Sequence, residues 1–297
     1  MELIISGMTK SYKGVSALSD FSITLGKGIH FILGPNGSGK STLMNIITRN
    51  KLPDSGECVF DTGDRKITFG DSEDYLGLLG YMPQEYGCYP NMTAYQYLEY
   101  MAYLKGMQKE TIYSEINRVL ASVMLDGETK KRITKFSGGM KQRLCFAQAV
   151  LGSPKILILD EPTAGMDVSQ RIRVRELIKK AATECIVLMS THICSDIERD
   201  GSDVIVMRKG TVLRRGSSSE LMASMSGRVW QIECGQSTAL DLSEKYKTVY
   251  MNQLNGNIYQ VRIISDECPA PEAINSEPEL EDYYIDVFSE RDKKTVL

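Results

Sequence analysis

The chain has 297 residues, 42% of them hydrophobic and 25% charged, and its 35 Lys and Arg against 38 Asp and Glu give a net charge of −3. This is the composition of a globular protein with room for about two folding units, and it excludes a disordered, collagen-like or strongly basic nucleic-acid-binding chain. The longest apolar runs, at 156–159 and 186–189, fall far short of the roughly 18 residues that suggest a bilayer span.

The first residues, Met1 to Ile5, carry no basic segment, long apolar stretch or small-residue cleavage site, so a cytoplasmic location is expected. Seven cysteines are scattered without a C-x-x-C pair, and the chain has two histidines. Reduced, buried thiols are expected rather than a disulfide framework or a zinc site.

In chain order, the first strong signal is an apolar strand, Ile29 to Leu33, that runs into Gly34-Pro35-Asn36-Gly37-Ser38-Gly39-Lys40-Ser41-Thr42 and then a helical pattern through Leu43, Ile46 and Ile47. Strand, glycine loop and helix together form a phosphate cradle. The glycines let backbone N–H groups wrap a polyphosphate, and the helix turns its positive end to the anion. Lys40 is placed to reach the β- and γ-phosphates, and the Ser41 hydroxyl to ligate Mg²⁺.

Between residues 86 and 150 a helical insert is expected. One helix starts after Pro90-Asn91-Met92-Thr93 and carries Tyr95, Tyr97, Tyr100 and Tyr103 with Leu98, Met101 and Leu104, a pattern that reads mainly as core. A second follows Lys135-Phe136-Ser137-Gly138-Gly139-Met140, with Met140, Leu144, Ala147 and Leu151 at helical spacing and a stop at Gly152-Ser153-Pro154. Ser137 is a good N-cap. Two glycines in the first turn cost roughly 1 kcal/mol each against Ala, which a structural helix alone does not explain, but they leave its N–H groups open to a phosphate.

The continuous apolar run Ile156 to Leu159 is that of a central parallel strand, and it ends in Asp160-Glu161. Carboxylates at the C-terminal end of such a strand lie on the ligand side of an open sheet. Asp160 fits the Mg²⁺-holding acid of P-loop NTPases, and Glu161 is placed to polarise an attacking water as general base.

Taken together these segments resemble the ATP-binding subunits of ABC transporters over about residues 1–225, with the motifs in that family's order. Gly34 to Ser41 resembles its Walker A, Ser137-Gly138-Gly139 its signature and Ile156 to Asp160 its Walker B. The resemblance implies further roles. Gln84 would be the Q-loop residue, ligating Mg²⁺ and aligning water; Glu161 the catalytic glutamate; Ala164-Gly165-Met166-Asp167 the D-loop, with Asp167 at the nucleotide; His192 the switch histidine; and Tyr12 the aromatic that stacks on adenine. The signature departs from the family's commonest form, with Phe136 and Met140 where Leu and Gln are usual.

The family implies an α/β P-loop fold with a parallel sheet, an antiparallel β subdomain, the helical insert and a small α+β C-terminal extension. It implies an ATPase that uses ATP and Mg²⁺, works as a homo- or heterodimer, and powers a separate integral-membrane permease from the inner face of the membrane. No nucleic acid partner is expected. Exposed tyrosines of the insert are candidate permease contacts, because the family's surface beside the Q-loop receives a permease helix.

Residues 227–297 read as a separate unit. Strand-like segments at Arg228 to Ile232, Val249 to Met251 and Ile258 to Ile264 surround an Asn255-Gly256 hairpin signal. A helix from Pro278 then places Leu280, Tyr284, Val287 and Phe288 on one face. This tail resembles the extension of drug- and antibiotic-exporting members, which implies export. The alternative, an ABC ATPase of DNA repair, chromosome organisation or the ribosome, is disfavoured by the lack of sustained heptads between Ser41 and Ser137 and by the single Walker A. No Asn-Lys-x-Asp guanine motif points to a GTPase.

Overall fold

The computed structural model describes residues 1–84, 87, 89, 91–163, 166–191, 194, 197 and 202–289. The chain forms two compact units, Met1–His192 with Ile205–Arg214, and Ile193–Val204 with Arg215–Leu297. The smaller unit thus takes in 193–204 and 215–226 besides the tail from 227. Among the described residues no helix is long and apolar enough to cross a membrane.

The larger unit opens with two long strands, β1 (Glu2–Tyr12) and β2 (Val15–Leu25), followed by β3 (Gly28–Leu33) and α1 (Lys40–Ile47). Next come β4 (Ser55–Asp61), β5 (Lys66–Thr68), α2 (Ser72–Gly77) and β6 (Leu79–Met82). The insert supplies α3 (Ala94–Leu104), α4 (Lys109–Ser122) and α5 (Gly138–Ala149). The chain then returns through β7 (Ile156–Asp160), α6 (Val168–Ala182), β8 (Ile186–Thr191), β9 (Asp203–Arg208) and β10 (Thr211–Ser217).

Two sheets organise these elements. An antiparallel sheet has the order β2-β1-β4-β5, and a six-stranded sheet has the order β10-β9-β3-β8-β7-β6, in which β3, β8, β7 and β6 run parallel. Every residue of β7 and β8 is buried, as continuous apolar runs predict for strands covered on both faces. The main core joins Leu3, Ile5 and Phe21 of the first sheet to Leu43 and Ile47 of α1 and to Ile158 and Leu188 of the second.

The insert is closed at its neck, where Ile133 N–H donates to the Met92 carbonyl (2.9 Å). Thr93 caps α3 reciprocally with Gln96, which fixes the start that the sequence predicts. Tyr97 and Leu98 are buried, whereas Tyr100, Tyr103 and Leu104 are exposed, so the aromatic stripe is only partly core. Helix α5 is covered almost all round, with Gln142 and every residue from Leu144 to Ala149 buried. Its end abuts β6 so closely that a Cβ at Gly80 would lie 2.1 Å from the Ala149 carbonyl oxygen. Glycine is required there.

The smaller unit contains α7 (Ser218–Ala223), β11 (Val229–Gly235), α8 (Gln236–Lys245), β12 (Lys247–Asn255), β13 (Ile258–Ile264), β14 (Ile274–Asn275) and α9 (Leu280–Phe288). Its antiparallel sheet has the order β12-β13-β11-β14, and Ala239 and Leu242 of α8 share a core with Ile232, Val261 and Ile263. The hairpin forms, but Asn255 pairs with Ile258, so its two-residue loop is Gly256-Asn257, one residue later than the Asn-Gly signal suggests. Gly256 takes the left-handed conformation (φ 54°). On α9 the buried residues are Leu280, Asp282 and Tyr283, so the predicted face of Tyr284, Val287 and Phe288 is rotated; the Tyr284 and Phe288 rings instead lie 4.8 Å apart and half-buried.

Candidate functional site

The parallel register decides which residues can meet. Leu33 of β3 pairs with Thr191 of β8, and Asp160 of β7 pairs with Ser190, so the glycine loop after β3 and the acids after β7 leave the same carboxyl edge of the sheet.

The loop itself is built for an anion. Helix α1 starts at Gly39 without any side-chain cap and without an acid in its first turn, so its N–H groups are left to an external acceptor. Gly39 has φ 106°, and a Cβ there would lie 2.5 Å from the Ala17 carbonyl oxygen; both facts demand glycine. Ser38 Oγ is buried and, among the described residues, has no hydrogen-bond partner. Lys40 Nζ donates to the carbonyls of Gly34 (2.6 Å) and Pro35 (3.1 Å), so a buried ammonium is hydrogen-bonded to neutral groups. Burial pulls its pKa below the ordinary lysine value, against the opposing pull of the Glu161 and Asp160 carboxylates. An uncapped helix start, an orphaned hydroxyl and a cation that, among the described residues, donates to two carbonyls fit a polyphosphate. Ser41 is exposed and Thr42 half-buried at the start of the same helix.

Across the sheet edge, buried Asp160 accepts a 2.5 Å hydrogen bond from Ser190 Oγ. The same hydroxyl oxygen accepts from the Glu161 N–H at 3.0 Å. Glu161 adopts φ 50°, a left-handed conformation that costs a non-glycine residue roughly 1–3 kcal/mol and is held only where surroundings fix it. Its side chain is fixed as well. Gln84 Nε2 donates to Glu161 Oε2 at 3.0 Å. The acids of a site fit for Mg²⁺ are therefore one buried carboxylate, Asp160, and one carboxylate tethered by Gln84 on a strained backbone, Glu161.

The signature segment lies in the same unit. Ser137 Oγ accepts from the Met140 N–H (3.3 Å), giving the N-cap that the sequence predicts. Buried Gln142 Nε2 donates to the Pro162 carbonyl (2.5 Å), tying α5 to the segment just after Glu161. A Cβ at Gly139 would lie 2.2 Å from Gln170 Oε1, so part of the demand for glycine there comes from α6; Gly138 has open space around it. Asp167 caps α6, accepting from the Gln170 N–H (2.9 Å) and the Ser169 hydroxyl (2.8 Å), which hold its carboxyl below the ordinary range. Tyr12 is 40% exposed at the end of β1, with Lys10 Nζ 5.6 Å from its ring centre. His192, Ala164 and Gly165 lie outside the described residues.

Ser190, Gln142 and Gln170 are the residues that sequence reasoning passes over. Each acts through a contact to a distant segment, and the one available signal is a polar residue inside an otherwise apolar buried run, as Ser190 is after Ile186 to Met189.

The family model described as ABC transporter matches residues 18–164. The "Uncharacterized ABC transporter ATP-binding protein YxlF" of Bacillus subtilis is 33% identical over 82% of this chain and 80% of its own length. "Probable multidrug ABC transporter ATP-binding protein YbhF" of Escherichia coli is 29% identical over 96% of this chain, which spans 52% of that relative. Among solved structures, the dimeric bacterial ABC transporter cassette MJ0796 is 27% identical, with a TM-score of 0.63 over 72% of this chain and 98% of that one. The phosphate loop, the paired acids at the sheet edge and these likenesses agree, and the chain belongs to the ATP-binding proteins of ABC transporters, ATPases that use ATP with Mg²⁺.

Proposed function

We propose that this ATPase drives a separate membrane permease, in the direction of export, as one of two ATP-binding subunits facing head to tail on the inner face of the membrane. The observation that carries the reading is the convergence of Lys40, Asp160 and the Gln84–Glu161 pair at one sheet edge. Relatedness to a multidrug transporter protein along 96% of this chain supports the export direction.

In this reading Lys40 exchanges its two carbonyl partners for the β- and γ-phosphates, while Gly37, Ser38, Gly39 and the first turn of α1 bind phosphate oxygens through N–H and hydroxyl groups. Ser41, Asp160 and Gln84 would hold Mg²⁺, which when bound neutralises charge on the phosphates. Glu161, oriented by Gln84 and by its own N–H bond to Ser190, takes the proton of the attacking water. Gln84 and His192 align water and γ-phosphate, and Tyr12 stacks on adenine. Ser137, Gly138 and Gly139 at the open start of α5, with Asp167, complete the site of the facing subunit. The exposed Tyr100 and Tyr103 of α3 form part of the permease contact.

The test is assembly. Glu161→Gln protein is expected to dimerise on addition of ATP and Mg²⁺, measured by light scattering, because bound nucleotide is buried as interface and is not hydrolysed. Adding Ser137→Arg blocks the docking of the γ-phosphate and is expected to abolish that dimer while leaving ATP binding to the monomer. A double variant that still dimerises with ATP overturns the shared site.

A further inference from the structure

We infer that the cleft at the amino-terminal end of β7, at the opposite end of that strand from Asp160, binds a small amphiphilic carboxylate, an apolar body carrying one negative charge. The cleft lies wholly within the larger unit and has a volume of about 330 Å³, at the lower end of the usual range for small-molecule sites. Five residues of β7 separate it from the phosphate edge, ~13 Å at ~3.3 Å per residue. The inference stands apart from the proposed transport role.

Its walls divide by chemistry. Leu177 of α6, with Val150 and Ala181, makes an apolar floor over buried Phe146 of α5 and Leu157 of β7, and Lys155 and Lys180 stand at the exposed rim. The other charges at the cleft are already engaged. Arg118 makes two 2.6 Å bonds to Glu115, and Glu184 pairs with Lys27 at 3.8 Å. The helix-end carbonyls are covered too: Leu151 accepts from Lys105 Nζ (2.7 Å), and Ala181 from Cys185 Sγ (3.1 Å). Among the described residues neither Lys155 nor Lys180 has a carboxylate partner, so two positive charges stand unmatched above an apolar floor. Lysines are mobile point charges without the fork that favours a planar bidentate partner. An apolar tail in the floor with one carboxylate between the two ammonium groups satisfies both surfaces.

The experiment is titration calorimetry of the full chain with octanoate, and with octan-1-ol as its uncharged counterpart. Saturable one-to-one octanoate binding is expected for the wild type, at least tenfold weaker for octanol and for Lys155→Gln/Lys180→Gln protein. Leu177→Trp, which fills the floor, is expected to abolish binding; Ala181→Leu serves the same purpose if the tryptophan variant does not fold. Absence of saturable binding to the wild type, equal affinity in the double lysine variant, equal affinity for octanol, or displacement of octanoate by ATP would each overturn the assignment.

Discussion

Gln84 and Glu161 are 77 residues apart in sequence, yet the amide nitrogen of one donates to a carboxylate oxygen of the other at 3.0 Å. The cause is register. Met82 of β6 lies opposite Leu159 of β7 in parallel pairing, and Gln84 and Glu161 each stand two residues beyond that pair, so both chains leave the sheet side by side. The amide holds the carboxylate at the edge where the glycine loop and Asp160 also emerge.

Glu161→Gln keeps the shape of the side chain but removes the proton acceptor. Hydrolysis is expected to fall by roughly 10² to 10⁴ while ATP still binds. Gln84→Ala, which frees the carboxylate without removing it, is expected to cost less, about tenfold. Steady-state ATPase rates beside equilibrium nucleotide binding check both, and near-wild-type turnover in Glu161→Gln would remove Glu161 from the role of base.

Ser190 is completely buried, and its hydroxyl serves Asp160 and the Glu161 N–H together. Ser190→Ala strips a partner from a buried carboxylate and from the backbone of a strained residue. Leaving such groups unsatisfied costs about 1–3 kcal/mol each, so urea unfolding is expected to show a loss of about 2–6 kcal/mol, accompanied by slower hydrolysis. Unchanged stability with unchanged hydrolysis would mean that the two acids are positioned without this hydroxyl.

What the sequence makes legible is local. The cradle from Gly34 to Thr42 is read directly because a strand, a glycine loop and a helix start are all encoded within neighbouring residues, and the N-cap Ser137 is read the same way. The contacts that complete the site are not local. Ser190 meets Asp160 only because β8 lies beside β7, and Gln84 meets Glu161 only because β6 lies on its other side; strand order is not written in any one segment. The insert shows a similar limit: the spacing of Leu144, Ala147 and Leu151 predicts one apolar face on α5, but Cys145, Phe146, Gln148 and Ala149 between them are buried as well because other elements enclose the helix. On α9 an acid near a helix start reads as a solvated residue complementing the helix dipole, and nothing local signals that an arginine on β13 draws Asp282 inside.

That arginine gives the smaller unit its own test. Arg262 donates Nε and Nη2 to the two oxygens of Asp282 at 2.7 Å each, and Nη2 also reaches the Glu277 carbonyl at 2.7 Å. Asp282 has no exposed surface, and its carboxylate also accepts from the Glu279 N–H (2.6 Å) in the cap of α9. Removing one partner of a buried, bidentate pair strands the other charge. Asp282→Ala is therefore expected to destabilise the smaller unit by about 3–5 kcal/mol, whereas the paired change Arg262→Met/Asp282→Leu, which removes both charges, is expected to cost less than the single one. Thermal unfolding of the three proteins decides it, and equal losses for single and double variants would show that the pair does not act as a unit.

The last prediction concerns pH. Lys105, at the end of α3, donates to the Leu151 carbonyl beyond the end of α5, and burial brings its pKa down to about 8, against a smaller opposing pull from Glu115. In the unfolded chain it titrates near 10.4. Between those values the unfolded chain carries a proton on this lysine that the folded chain has released, so raising the pH through that window favours the folded state. Below about pH 8 both states hold the proton and the dependence from this group vanishes. Stability is accordingly expected to gain a positive increment between about pH 8 and 10.4 that is absent from Lys105→Met protein. The other lysines and the tyrosines titrate identically in both proteins, so the difference between their urea-unfolding free energies, measured at pH 7.5, 9 and 10 or thereabouts, isolates this one group. Parallel curves for wild type and variant would show that the Lys105 ammonium is hydrated in the folded chain, and that its bond to the Leu151 carbonyl forms at the surface of the insert rather than within it.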